Sequence, residues 1–191
     1  MSASKLLRAA RRSAAASQRE LAKVSGVSQP AIAAIESGAH DTSVRRLEQL
    51  LASLGQRVIV LPTRSRTVAE AAEAIHAGLA RSDEEWAWRE IVQTSDDLAH
   101  AEPDVRVVLA ISRPHSVGDR NYDALLAATV DYWLTIDQLP RPRWLDDAAY
   151  VLDEPWDVEE LPALRARARQ ETPEAFRRHG VYLAPAQLSS V

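Results

Sequence analysis

Residues 17–38 read SQRELAKVSGVSQPAIAAIESG, and the way this stretch starts and stops its helices decides the fold of the N-terminal third. Ser17 followed three residues later by Glu20 has the form of a capping box. The helix it opens runs from Gln18 to about Val24 and buries Leu21 and Val24. Gly26 supplies the positive φ or close backbone approach that a sharp turn needs. Ser28 caps the next helix, and Pro30 falls in its first turn, where a missing N–H costs little. Ile32 and Ile35 are three apart and share a face, and Gly38 ends the helix. A helix, a short turn and a second helix is the arrangement that sends the second helix into the major groove of DNA.

On the N-terminal side, residues 4–13 form a helix with Leu6, Leu7 and Ala10 as its core face. The start is also basic and alanine-rich, as transit peptides are, but that core face favours the helix. On the C-terminal side, the loop 39–42 leads to a cap at Thr42 or Ser43. The helix after it carries Val44, Leu47, Leu50, Leu51 and Leu54 at helical spacing, and Gly55 closes it. Residues 56–61, QRVIVL, are β-branched and end at Pro62, which predicts a strand. A lone strand has an open edge. Either a second copy or the chain's own second domain must cover it.

Ser-Gln-x-x-Leu-Ala, then Gly-Val-Ser, then Ile-x-x-Ile-Glu-x-Gly, all within residues 17–38, resembles the Xre/Cro/C1 family of bacterial and phage regulators. The resemblance covers residues 4–61. It implies a DNA-binding helix-turn-helix bundle of about five helices with one short strand, which pairs with its copy in a homodimer. Such a dimer sets two groove-reading helices about one DNA turn apart, roughly 34–36 Å. It also implies the contact residues. Gln18 and the free N–H groups at its helix start hold a phosphate. Ser28, Gln29, Ala31, Ala33 and Ala34 belong to the groove-reading helix. Glutamine matches adenine N6 and N7, and alanine touches a thymine methyl. Thr42, Ser43, Arg45 and Arg46 reach the DNA backbone, or else the arginines form a solvated helix face. Arg11, ahead of Arg8 or Arg12, pairs with Glu36 and positions the reading helix. Pro30 and the three alanines depart from the longer polar side chains common in the family, so more weight falls on DNA shape and backbone.

The net charge of −4 conceals two opposite halves. Residues 1–66 hold 11 Lys and Arg against 4 Asp and Glu, a balance of +7, and residues 67–191 hold 12 against 23, a balance of −11. Every tryptophan and tyrosine and the single phenylalanine, Phe176, lie beyond residue 85. This shift predicts a DNA-binding domain over residues 1–61, a linker at 62–66 and an acidic domain over 67–191. The basic part suits a phosphate backbone, which repels the acidic part. The absence of cysteine excludes disulfides and thiolate metal sites and fits a reducing cytosol. No apolar run has the length of a membrane span. A soluble cytoplasmic protein is expected.

Thr67 caps an alanine-rich helix to about residue 81, and Ser82 opens another, acidic in its first turn, to about residue 100. Residues 104–111 suit a strand by length and valine content; the lack of sister strands favours a helix. Residues 121–137 form an amphipathic helix with Leu125, Leu126, Val130, Trp133 and Leu134. Residues 139–144 are a proline-stiffened link. Short helices are expected at 146–150, 162–169 and 172–179, before an apolar tail. The fold class is thus mainly all-α.

Catalytic patterns are missing. The five histidines are scattered, no HExxH, GxSxG, Walker or GxGxxG motif occurs, and neighbouring carboxylates such as Asp96-Asp97, Asp146-Asp147 and Glu159-Glu160 point apart on a helix. No enzyme, metal or cofactor is expected. Trp133, Trp144, Trp156, Phe176, Arg177, Arg178 and Tyr182 are either the core of the second domain or anchors for a partner. The C-terminal segment is similar to those of actinobacterial Xre-type proteins, some of which resemble antitoxins found beside nucleotidyltransferase-like toxins. The leading expectation is an autorepressing antitoxin whose second domain binds a toxin protein. The rival is a transcription factor that senses a small molecule.

Overall fold

A computed structural model describes residues 2–60, 63–159 and 161–188. The chain divides into two compact units, residues 1–62 and 63–191, each with a separate hydrophobic core.

Four helices build the first unit: α1 (Ala3–Ser13), α2 (Gln18–Ser25), α3 (Gln29–Ser37) and α4 (Val44–Ala52). The described residues therefore hold four helices where about five were expected. Ser17 and Glu20 close a reciprocal capping box at the start of α2. Gly26 and Gly38 end α2 and α3 in the left-handed region, at φ +72° and +78°, which side chains with a Cβ rarely adopt. Ser28 occupies the N-cap of α3, but its hydroxyl makes no capping bond. Ser43, rather than Thr42, caps α4.

Leu7, Leu21, Ile32, Ile35, Leu47, Leu50 and Leu51 meet in the core. Val24 does not join them and is 64% exposed. Spacing does not decide this, since Ile32 and Ile35 are also three apart and both are buried; α2 meets the core through Leu21, with Ala22 packed beside it. Val44, at the first position of α4, is likewise exposed.

Residues 57–60 have no regular structure. A strand exists only as a ladder with a partner, and no described residue of this unit offers one. Val58, Ile59 and Val60 stand in solvent, Val60 at 92% exposure. Leu61, the end of the expected strand, and Pro62, the start of the expected linker, lie outside the described residues. The rest of that linker is tied to the second unit: Arg66 pairs with Glu90 at 2.6 Å.

The second unit contains α5 (Val68–Leu79), α6 (Glu84–His100), α7 (Pro103–Ala110), α8 (Arg120–Ile136), α9 (Pro162–Glu171) and α10 (Glu174–Arg178). Residues 103–110 are helical, with Pro103 in the first turn. Helix α8 is buried on nearly every side, so it is the axis on which α6, α7 and α10 pack. Its outer surface is rich in alanine, and aromatic side chains fill the space this leaves. Phe176 from α10 lies 5.7 Å from Tyr132, and Trp144 and Tyr150 meet edge-on at 5.0 Å.

The tail folds back onto its own unit. Strand β2 (Val181–Tyr182) pairs in parallel with β1 (Trp156–Asp157), a two-residue ladder the sequence pattern does not announce. One fully buried carboxylate secures the return. Asp131 of α8 takes Arg141 at 2.5 Å, Arg178 at 2.7 Å and His179 at 3.4 Å. Burial pulls its pKa upward, but the His179 and Arg141 hydrogen bonds and the arginine charges prevail and hold it at about 2. Helix α9 is the exception to the packing, with Ala168 alone buried. No described helix is long and apolar enough to cross a membrane.

Candidate nucleic-acid interface

The interface begins with a buried carboxylate. Glu36, near the end of α3, is 3% exposed and is gripped by Arg11 of α1 through two parallel bonds of 2.7 and 2.8 Å. Such a fork matches a carboxylate in both distance and plane. Arg11 also donates to the Ala16 carbonyl, and Arg8 donates to the backbone carbonyl of Glu36. Burial raises the Glu36 pKa, yet the bonds from Arg11 and Gln18, with the Arg11 and Arg8 charges, bring it below the usual carboxylate range.

From Glu36 a chain of amides runs to the surface. Gln18 Nε2 donates to Glu36 at 2.9 Å, and Gln29 Nε2 donates to Gln18 Oε1 at 3.0 Å. The direction of this chain is forced. An ionised carboxylate only accepts, so Gln18 must turn its NH2 inward and its oxygen toward Gln29. Gln29 is then obliged to present its own NH2 to Gln18. The Gln18 side chain thus joins Glu36 to Gln29 within the protein.

This relay escapes a reading by helix pattern because it links residues 11 positions apart. A signal was nevertheless there: the dipeptide Ser-Gln occurs at 17–18 and again at 28–29, each opening a helix.

Ile32, Ile35 and Glu36 take the buried side of α3. Gln29 and Pro30 are exposed, while Ala31, Ala33 and Ala34 are half-buried. Beside this helix a groove of about 460 Å³ runs to the start of α4, with Ala34, Thr42, Ser43 and Arg46 among its lining. Ser43 accepts from the Arg46 N–H, and the Thr42 N–H is bonded to the Asp41 carboxylate. Arg45 and Arg46 are exposed, as are Arg8, Arg12, Arg19 and Lys23 of the same unit. The first unit thus offers a helix face, two capped helix starts and a cationic surface, the ingredients of duplex binding.

The second-unit residues considered as anchors have intramolecular partners. Phe176 is fully buried, and Trp144 is buried with its N–H on the Ala110 carbonyl. Trp133 bonds Ser95 and lies under Arg106 at 5.8 Å. Trp156 belongs to β1 and lies 6.1 Å from Tyr122. Tyr182 belongs to β2, with Arg169 over its ring at 5.1 Å. Arg177 caps the end of α9 through the carbonyls of Arg169 and Gln170, and Arg178 is held by Asp131. The anchor reading of Trp144 and Phe176 is corrected: an alanine-rich α8 needs their bulk inside.

Residues 7–58 match the family described as Helix-turn-helix (HTH_3). No curated protein and no solved structure matches the chain.

The ion pair predicts how the first unit answers to acid. Glu36 has a folded pKa below its unfolded value of about 4.3, so its contribution is complete above that value and is lost as pH falls through the lower folded one. Hydrogen exchange of α1 and α3 amides across an acid titration measures this. Glu36→Gln should flatten the acid slope, and an unchanged slope would refute the assignment. Glu36→Ala, which strands the Arg11 guanidinium, should cost about 3 kcal/mol.

Proposed function

Taking residues 7–58 as an Xre/Cro/C1-type helix-turn-helix domain, and the protein therefore as a DNA-binding regulator of transcription, we propose that it reads a specific operator through Gln29, as a dimer, and that its second domain carries a protein partner. The observation behind the first claim is the relay from Arg11 through Glu36 and Gln18 to Gln29. Gln29 spends one N–H on Gln18 and keeps its Oε1 and a second N–H uncommitted. One acceptor and one donor complement adenine, which offers the N6 amino group and N7. Guanine presents acceptors at both O6 and N7, and so leaves the Gln29 oxygen facing another acceptor. The amide cannot rotate to suit guanine without breaking its bond to Gln18. Phosphates are held by the starts of α2 and α4 and by Arg45 and Arg46.

Dimerisation is supported by the exposed run Val58, Ile59 and Val60. These β-branched side chains suit a strand, and a second copy would supply the missing ladder. The second domain has the charge for a partner that itself handles nucleic acid, since its balance of −11 would complement a basic site. An antitoxin that represses its own promoter and occupies its toxin fits that combination. With Trp144 and Phe176 buried in the core, the partner surface is placed at α9 and the residue that precedes it. Leu161, the N-cap of α9, is 61% exposed, and Leu164 of the helix follows one turn later, also exposed. This reading involves binding without catalysis.

Gln29→Ala should cost about 1–3 kcal/mol of discrimination at one base pair, whereas Arg46→Ala should weaken all duplexes alike and lower the salt slope by about one. Fluorescence anisotropy on matched and mismatched duplexes separates the two, and an unaltered preference in the Gln29 variant would end the groove assignment. Replacing Val58, Ile59 and Val60 together by serine should shift sedimentation from dimer to monomer; a persisting dimer places the contact elsewhere. A pull-down with the full chain should recover one neighbouring-gene product in fixed ratio, and Leu161→Asp with Leu164→Asp should lose it. Equal recovery by that variant would remove α9 from the partner surface.

A further inference from the structure

The outward face of α3 has little hydrogen-bonding chemistry. A helix turns about 100° per residue, and burial of Ile32, Ile35 and Glu36 fixes which side is inward. Pro30, Ala33 and Ala34 then centre on the outward side, with Gln29 at one edge and Ala31 at the other. Proline and alanine side chains end in carbon and can neither donate nor accept. Ser37 also lies on the outward side, but its hydroxyl donates to the Ala34 carbonyl and accepts from the Ala39 N–H, which leaves the Gln29 edge to examine a base by hydrogen bonds.

The Ala31 edge opens onto the groove of about 460 Å³. One wall is Ala31, Ala34 and Ile35, and the other is His40, Asp41, Thr42, Ser43 and Arg46, with one carboxylate beside one guanidinium. An apolar wall facing a polar one matches the two features of a pyrimidine nucleotide that differ most in polarity. These are the C5 methyl group at the major-groove edge and the charged phosphate.

Resting on the DNA reading above, we infer that α3 distinguishes pyrimidines at these steps by their C5 methyl group and ignores their hydrogen-bonding pattern. Thymine carries an acceptor at C4 and 5-methylcytosine carries a donor there. Alanine satisfies neither group, so the exocyclic atom adds nothing to the choice. The methyl group is stabilised against Ala31 and Ala34 by leaving water. Thymine and 5-methylcytosine are therefore equivalent ligands, and uracil and cytosine are equivalent poor ones. A regulator built this way responds to cytosine methylation of its operator.

The test uses the full chain and the duplex it enriches from a randomised pool. That duplex is resynthesised with uracil for each thymine in turn, and with cytosine or 5-methylcytosine opposite guanine at the same positions. Uracil should weaken binding about fourfold per methyl removed, the size expected for one buried carbon group. At those positions 5-methylcytosine should match thymine, and cytosine should match uracil. Ala34→Gly, checked for helicity by circular dichroism, should shrink the uracil penalty. Equal binding of uracil and thymine duplexes overturns the inference while leaving DNA recognition intact, as does a 5-methylcytosine duplex no better than its cytosine counterpart. Enrichment of no sequence overturns the DNA reading itself and the inference with it.

Discussion

The buried carboxylate of Glu36 is the constraint on which the DNA-binding unit depends. A charge this far from water is tolerated only when paired and hydrogen-bonded. Arg11 supplies the fork, and in doing so fixes α1 against α3. The remaining capacity of the carboxylate takes the Gln18 amide, which joins α2 to the same point. Three helices are thus registered by one group. Because a carboxylate can only accept, it also sets the direction of every hydrogen bond out to Gln29. Apolar contacts among Leu7, Leu21 and Ile32 hold these helices together, but they are non-directional and could not orient an exposed amide.

The acidic unit uses the same device for another end. Asp131 lies at the centre of α8 and gathers Arg141, Arg178 and His179 from segments that follow it in the chain. That gathering turns the tail into part of the core. Phe176, Val181 and Leu183 are buried behind it. A C-terminal stretch rich in apolar residues is thereby removed from the surface. The exposed apolar residues are instead dispersed, and α9, held chiefly by Arg169 on Asp157 and by the Arg177 cap, has a nearly free circumference.

The two units also divide the electrostatic work. Positive charge is concentrated where helix starts and an alanine face can meet a duplex, and negative charge where a duplex would be repelled. Matching to the helix-turn-helix family stops at residue 58, close to where the sign of the charge changes.

Local chemistry made much of this legible from the sequence. Capping residues such as Ser17 and Thr67, the glycines at 26 and 38, and the leucine stripe at 47, 50 and 51 act within a turn or two of themselves, so their spacing specifies helices directly. The bounds of α2 and α3 follow from those signals. Long-range pairing is not encoded by spacing in this way. Residues 57–60 have strand chemistry without a ladder in the single chain, because a strand is a property of two segments. Val24 carries the right residue type for a core, yet α2 meets the core through Leu21 and Ala22 instead. The tail's return, the β1–β2 pair and the Gln18–Gln29 bond join residues whose separation in sequence says nothing of their distance in space. The sequence determined the helices, their order and the charge of each unit. Tertiary structure decided which polar groups face one another, because only packing brings a buried carboxylate within reach of the amide that it orients.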